Sequence, residues 1–287
     1  MMTMTNVERM KLLVLVCLAA VALIVWLIPK QKPDCGCLSV TFLNVGQGDS
    51  ILVETPDGFE MLVDGGPDAA VLRELGRERS FFDRRIDLMV ATHPDADHIG
   101  GLIDVLKRYD VQTILQTENK NDTPVAAAYA AATSREQAEL ITADAGQMIQ
   151  LGASTTLQVF SPAGDETNWE SNTSSIVMRV VYGSTSFMLT GDAPSEIEDY
   201  LVDSYGSQLD STVLKLGHHG SKTSTSQKFL DTVTPQYAVV SAAVDNRYGH
   251  PHQEVMQRVF GRKVQTVHTG TDGTVTFYSD GAVVWRK

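Results

Sequence analysis

Cysteine is scarce in this 287-residue chain, with three in all, Cys17, Cys35 and Cys37, and none beyond. The long remainder therefore has no thiolate to offer a metal, so any metal site there must be built from histidine and carboxylate. Basic charge is also short: 23 Lys and Arg stand against 35 Asp and Glu, a formal net charge of -12. A surface that coats nucleic acid needs the opposite balance, and no run of Lys or Arg interleaved with aromatics appears, which excludes a dedicated basic grip on a duplex. Local phosphate chemistry is not excluded, because a bound cation can supply positive charge where it is needed. Repeats of solenoid length are absent, and 43% apolar with 20% charged residues leaves no room for extensive disorder. The length allows one large domain or two small ones, each with a full core.

What is present begins with one apolar run, LLVLVCLAAVALIVWLI from Leu12 to Ile28, flanked by Arg9 and Lys11 before it and Lys30 and Lys32 after it. A spanning helix needs about 20 apolar residues, with a lower limit of about 17, which this run meets. No A-x-A cleavage site follows it, so an uncleaved anchor is expected rather than a signal peptide. The expected organisation is a short tail (1–11), a transmembrane anchor (12–28), a linker (29–37) and a single domain (38–287). The expected location is the membrane, with the domain extracytoplasmic, or secreted if the segment is cleaved. Cys17 reads as a small residue buried in the run. Cys35 and Cys37 are too close for an unstrained disulfide, so intermolecular pairing, lipidation and free thiols stay open.

After Leu38 strand-like and helix-like stretches alternate. LSVTFLNV, SILVET, FEMLVDGG, IDLMVAT, STTLQVFS, SIVMRVVYG, SFMLTGD, STVLKLG and QYAVVSA carry the β-branched and alternating patterns of strands. AAVLRELGRERSFF, GGLIDVLKRYD, TPVAAAYAAATSREQ, PSEIEDYLVDSYG and SQKFLDTV carry helical periodicity. Sheets covered by helices follow from such a pattern.

Six of the seven histidines fall in three pairs: His93 with His98, His218 with His219, and His250 with His252. Each pair follows a strand-like run and sits in a loop marked by Gly or Pro: MVATHPDADHIGG, VLKLGHHGSKTS and NRYGHPHQEV. Loops at the ends of several strands converge readily on one rim. HPDADH also reads as a helix start, with Asp95 or Asp97 as cap. A cap needs one acceptor, however, and this loop offers four ligating groups. His268 stands alone and reads as a surface residue.

HPDADHIGG resembles the histidine-aspartate signature of the metallo-β-lactamase superfamily, and LVDGG, LTGDA and GHHGS follow in that family's order. NVGQGDSILVETPDG, NTSSIVMRVVYGSTSFMLTGD, LKLGHHGSKTSTS and NRYGHPHQEV are similar, more narrowly, to the hydrolase domain of ComEC-type competence proteins. The likeness runs from about Leu38 to the C-terminus. It implies an α/β fold, an αββα sandwich of two mixed β-sheets flanked by helices, here preceded by the transmembrane helix.

The resemblance also implies ligands for two divalent metal ions, Zn or Mn: His93 and Asp95 for one, Asp97 and His98 for the other, Asp192 between them and His219 completing the second. His218 would then contact substrate. Asp64 would orient a ligating imidazole, with a plain turn residue as the other reading. Asp95 and Asn172 stand where the wider family has histidine, with Ser175 nearby, and this richness in oxygen favours harder ions such as Mn²⁺. Asn172 is open as ligand, substrate contact or loop residue.

The implied chemistry is hydrolysis of a phosphodiester, single-stranded DNA among the candidates, by a metal-activated water. Lys215, His218 and His250 are candidates for stabilising charge or protonating the leaving group, and Asp97 belongs to the same machinery. Ser221 in the GHHGS turn is a candidate phosphate contact, and His252 is either a site residue or part of a helix start. Two other readings remain: hydrolysis of a small ester, lactone or β-lactam on the same fold, and a binding module with a degenerate metal site. A lactamase that relies on a cysteine ligand is disfavoured by the missing thiols. Oligomeric state leaves no trace in the sequence.

Overall fold

The computed structural model describes residues 5–27, 35–80 and 82–287, with the side chains of 22–27 outside the described set. Its helices are α1 (Asn6–Leu27), α2 (Ala70–Glu78), α3 (Ala96–Ile99), α4 (Leu102–Leu106), α5 (Pro124–Thr133), α6 (Ser195–Tyr205), α7 (Gln227–Val233), α8 (Gln253–Gly261) and α9 (Thr269–Asp272). The strands of the first half are β1 (Leu38–Phe42), β2 (Ile51–Glu54), β3 (Glu60–Val63), β4 (Arg85–Ala91), β5 (Asp110–Gln116), β6 (Glu139–Thr142) and β7 (Met148–Leu151). Those of the second half are β8 (Thr155–Ser161), β9 (Val177–Tyr182), β10 (Thr185–Leu189), β11 (Val213–Lys215), β12 (Tyr237–Val240), β13 (Gln265–His268), β14 (Val275–Ser279) and β15 (Val284–Arg286).

Two mixed sheets result, of eight strands in the order β15-β14-β1-β2-β3-β4-β5-β6 and of seven in the order β13-β12-β11-β10-β9-β8-β7. The sequence alternation sets how they pack. In β1, Leu38, Val40 and Phe42 face the second sheet and join Val213, Val239 and Phe187 in the layer between the sheets. On the opposite faces Leu52, Leu62 and Met89 meet Leu75, Leu102 and Tyr129 from α2, α4 and α5, while Met188, Leu214 and Ala238 meet Leu201, Phe229 and Val255 from α6, α7 and α8. Three apolar layers between four structural ones make the expected αββα sandwich.

The expected anchor is overturned. Among the described residues no helix is long and apolar enough to cross a membrane, and the membrane location drawn from such an anchor falls with it. Glu8, Arg9 and Lys11 occupy the opening turns of α1. From Leu12 to Leu27 the helix holds about 16 uncharged residues, about 24 Å at the helical rise, against a hydrocarbon core about 30 Å thick. Ile28, the last residue of the apolar run, lies outside the described residues, as do 29–34 of the linker. Cys17 is exposed rather than buried, and Cys35 and Cys37 are bonded to each other.

Parallel pairing fixes where function can gather. β3, β4 and β5 run parallel in one sheet, and β10, β11 and β12 run parallel in the other. Their carboxyl ends point to one rim, and ligands of α/β sheets bind at such ends.

Candidate metal centre

Six loops meet at that rim: those after β1, β3, β4, β10, β11 and β12 carry Asp49, Asp64, His93 to His98, Asp192, His218 with His219, and His250. Close backbone approach locks them together. Gly48, at φ 130°, lies so near the 93–98 loop that a Cβ there would sit 2.2 Å from the Asp97 carbonyl, and Asp49 N–H donates to that carbonyl at 3.2 Å. The glycine pair that ends HPDADHIGG has the same purpose, because a Cβ on Gly101 would lie 2.0 Å from the Gly65 carbonyl. Gly65 N–H in turn donates to the His98 carbonyl at 2.7 Å. In the GHHGS turn both His218 (φ 48°) and His219 (φ 56°) are left-handed, a conformation non-glycine residues adopt rarely and at functional sites.

Asp49, His98, Asp192 and His219 form one buried group whose ligating atoms all lie within 4.8 Å of one another. His98 Nε2 is 3.3 Å and His219 Nε2 3.4 Å from Asp192 Oδ2, while His219 Nδ1 is 3.3 Å from Asp49 Oδ1. These approaches lack hydrogen-bond alignment: His98 Nε2, both nitrogens of His219, Asp49 Oδ1 and the neighbouring His93 Nε2 are buried without a partner. Buried polar atoms are rarely left so. Unpaired imidazole nitrogens beside carboxylates are the donor set a divalent cation takes, so the residues present fit a metal.

Asp64 stands behind this group with no exposure at all. Its Oδ1 accepts from Thr92 N–H at 2.9 Å, and its Oδ2 accepts from the Thr92 hydroxyl at 2.7 Å and pairs with His98 Nδ1 at 2.7 Å. That bond turns His98 so that Nε2 faces Asp192, the arrangement that readies an imidazole for a metal.

The field in the site is strongly negative. Burial alone would depress His98, but Asp192 and Asp64 hold it well above the usual imidazole value. His219 resists the same burial and is pushed up to about 9 by Asp192 and Asp49. Asp97 is lowered despite burial, by the neighbouring imidazoles of His219 and His98. His93, farther from the carboxylates, is lowered to about 3 by burial and by His98. Carboxylates that attract protons onto imidazoles attract a cation too, and its binding displaces those protons.

The remaining expected residues fall into two groups. His93, Asp95 and Asp97 line the edge of the centre: His93 Nε2 is 3.8 Å from Asp95 Oδ2, and His219 Nε2 is 3.3 Å from Asp97 Oδ2. Asp95 also accepts from Ser171 Oγ at 2.6 Å and from Asn121 Nδ2 at 3.3 Å, and it makes no side-chain cap on α3. His218 and His250 face a cleft of about 140 Å³ together with Asp95, Asp97, Asp192 and His219. Burial lowers His218 and, with His218 and His219 nearby, lowers His250 to about 4.

Others lie away from the cleft. Lys215, a candidate for stabilising charge or protonating the leaving group, has no exposure. Its ammonium donates to the Gly191 carbonyl at 2.9 Å and pairs with Asp49 at 2.5 Å and Asp192 at 3.5 Å. Ser175 Oγ accepts from Asp192 N–H at 3.2 Å, and Asn172 Oδ1 is buried without a partner. Ser221 is buried and accepts from the Thr223 hydroxyl at 3.0 Å rather than opening to the cleft. His252 precedes α8, and its Nδ1 accepts from Lys222 N–H at 3.1 Å.

Three participants escaped the reading of the sequence: Asp49 in the ligand group, and Gln47 and Tyr248 in the cleft wall. Asp49 left one signal, an aspartate in the glycine-marked loop GQGDS between two strand-like runs.

Residues 43–244 match the family model described as the metallo-beta-lactamase superfamily. The chain is 29% identical over 262 residues to ComE operon protein 3 of Bacillus subtilis, across 84% of this chain and 33% of that protein. It is 33% identical over 239 residues to competence protein ComA of Neisseria gonorrhoeae, across 83% of this chain and 32% of that one. The chain thus spans about a third of the length of these relatives. Among solved structures, Igni18, a metallo hydrolase from Ignicoccus hospitalis, superposes with a TM-score of 0.55 at 16% identity, over 83% of this chain and 98% of that one. CmlA, a diiron beta-hydroxylase from Streptomyces venezuelae, does so with 0.54 at 13%, over 87% and 54%. At such identities the structural likeness is one of fold. The four-layer sandwich, the buried Asp and His group at its rim and the match across residues 43–244 together establish that the chain belongs to the metallo-beta-lactamase superfamily.

Proposed function

We propose that this metallo-beta-lactamase-fold domain is a metal-dependent phosphodiesterase or DNA nuclease of the competence-protein type. The observation that carries the reading is the group of Asp49, His98, Asp192 and His219, buried together at the strand ends with imidazole nitrogens left unpaired. These four would hold one divalent cation, Zn or Mn, and His93, Asp95 and Asp97 are the candidates to hold a second. When bound, such ions polarise a phosphoryl oxygen and make water a nucleophile near neutral pH.

The chain's own residues divide the remaining work. Asp64 holds His98 by its Nδ1, which leaves Nε2 for the metal. Lys215 keeps the carboxylates of Asp49 and Asp192 ionised and fixed from behind. His218 and His250, both lowered by burial, face the cleft, where a neutral imidazole donates to or accepts from a substrate oxygen. His218, whose side chain is 27% exposed and 3.6 Å from Asp192, is placed to hydrogen-bond a substrate oxygen in the cleft. The narrow cleft and the net charge of -12 favour a small phosphodiester or a single strand over a duplex.

The test uses the purified full chain with Mn²⁺ or Zn²⁺ against single-stranded DNA, a simple phosphodiester and a β-lactam. His219→Ala is expected to lose metal by elemental analysis and all cleavage, and Asp97→Ala to lose cleavage. His218→Ala is expected to keep its metal and cut at least 100-fold more slowly, in the range of a removed hydrogen-bond donor to the reacting group. Turnover of a lactam or lactone with DNA untouched would replace this reading with small-ester hydrolysis. Failure of the wild-type chain to take up metal would reduce it to a binding module.

A further inference from the structure

A second cavity, of about 460 Å³, opens on the other side of the segment that carries His93 and Pro94. Ile99 and the alanines of α5, Ala126, Ala127 and Ala130, give it apolar walls. Polar residues, among them Thr117, Asn119 and Asp122, complete the lining, and two of its polar atoms have no partner. The hydroxyl of Tyr129, a residue only 7% exposed, and Oε1 of Gln116 at the end of β5 are both buried without a hydrogen-bond partner. Leaving such atoms unpaired costs stability, so their retention beside a cavity marks them as waiting for a ligand. Burial pushes the Tyr129 phenol above the ordinary tyrosine range, so it remains a donor as well as an acceptor.

The cavity is coupled to the metal centre through its rim. Asn121, which lines it, donates to Asp95 Oδ1 at 3.3 Å, and Asp95 lines the cleft on the far side. His93 forms the wall of the cavity while its ring centroid lies 4.1 Å from that of His98. Lys120 is an exposed cation on the same rim.

We propose that this cavity binds a nucleobase of the substrate, next to the phosphate at the metal centre; the inference rests on the phosphodiesterase reading and gives it a substrate class. A planar heteroaromatic ring suits flat apolar walls, and its edge offers an N–H to Gln116 Oε1 and a partner to the Tyr129 hydroxyl. A wholly apolar ligand would leave both atoms unpaired. The volume lies within the range of small-molecule sites, and Lys120 is placed for an adjoining phosphate.

The test is calorimetric titration of the full chain, without added metal, with the four deoxynucleoside 5′-monophosphates and with deoxyribose 5-phosphate. At least one nucleotide is expected to bind tenfold or more tightly than the sugar phosphate. Tyr129→Phe is expected to weaken that nucleotide about tenfold, the loss of one hydrogen bond, with sugar-phosphate binding unchanged. The same variant should melt no lower than the wild type, because it removes an unpaired hydroxyl and keeps the ring. Equal binding of nucleotides and sugar phosphate, or unaltered nucleotide binding by Tyr129→Phe, overturns the proposal. Metal-dependent cleavage of bis(4-nitrophenyl) phosphate, measured alongside, separates the two readings. Base-dependent binding without cleavage keeps the cavity and refutes the phosphodiesterase, whereas cleavage without base-dependent binding does the reverse.

Discussion

Replacing Asp64 by asparagine isolates the electrostatic support of the metal centre from its shape. Asp64 has φ 56°, a left-handed conformation that asparagine also tolerates, so the chain path is kept. The carboxylate accepts on both oxygens, from Thr92 N–H on one and from the Thr92 hydroxyl and His98 Nδ1 on the other. An amide has one acceptor. Whichever way it turns, its NH₂ faces a donor, either Thr92 N–H or the pair formed by His98 and the Thr92 hydroxyl. In the second orientation His98 must move its proton to Nε2, which then cannot bind a metal. In the first, an amide oxygen replaces a charged acceptor, a bond roughly half as strong. Loss of such a carboxylate behind a ligating histidine lowers metal affinity about 10- to 100-fold, or about 1.4 to 2.8 kcal/mol. A charge-assisted hydrogen bond contributes a similar ~1.5–3 kcal/mol. The assay is competition for Mn²⁺ or Zn²⁺ against a fluorescent chelator at pH 7, with circular dichroism to verify the fold. Wild-type affinity in a folded Asp64→Asn variant would refute the assignment of His98 as a ligand oriented by Asp64.

Two further outcomes are expected away from direct metal contact. Burial pushes the Glu198 carboxyl from 4.5 up to about 7, against the lowering effect of N–H bonds from Ser226 at 2.7 Å and Thr225 at 2.5 Å. The folded value exceeds the unfolded one, so this contribution is full below about pH 4.5 and fades as pH rises through 7, by ~3 kcal/mol in all. Glu60, raised to about 7 chiefly by burial, acts in the same direction. Urea denaturation of Glu198→Gln at pH 5 and pH 8 should show a smaller loss of stability than the wild type, and identical losses would discount the buried carboxyl. Gly101→Ala places a methyl 2.0 Å from the Gly65 carbonyl and 2.6 Å from that of Asp68. Forcing the DGG loop away should cost ~1–3 kcal/mol, seen as a lower melting midpoint, and an unchanged midpoint would show that the two loops are not held in contact.

The parts of the fold that were legible are those whose burial alternates locally. β1 alternates apolar Leu38, Val40 and Phe42 with polar Ser39 and Thr41, while β2 and β3 bury one apolar set between the sheets and another beneath the helices, so the period-two and the continuous apolar signals both appear. β6 and β7 carry neither: Leu140 is 53% and Met148 68% exposed, and such edge pieces read as loop. β5 follows so closely on α4 that DVQTILQ was masked by the helical run before it. The apolar run at 12–28 misled in a different way, because a count of uncharged residues ignores where the helix begins and how far its charged first turns extend.

The site shows a parallel division. His93, Asp95, Asp97 and His98 were visible because one short loop holds them all, whereas Asp49 reaches the centre only through the pairing of β1 with β2 and the packing of Gly48 on Asp97. The burial of Lys215 was hidden for the related reason that its surroundings are set by neighbouring strands rather than by its own segment. The two residues form one ion pair, and together they bear on the charge of the centre. Asp49, Asp64 and Asp192 are buried carboxylates, and Lys215 is the buried ammonium set among them. Carboxylates outnumber the one ammonium, an excess that imidazole protons offset in the absence of metal and that a divalent cation would offset in its presence. In a chain with a net charge of -12, a cation bound among these carboxylates would offset the negative field that otherwise repels an anion, which is what the proposed phosphodiester chemistry requires of this rim.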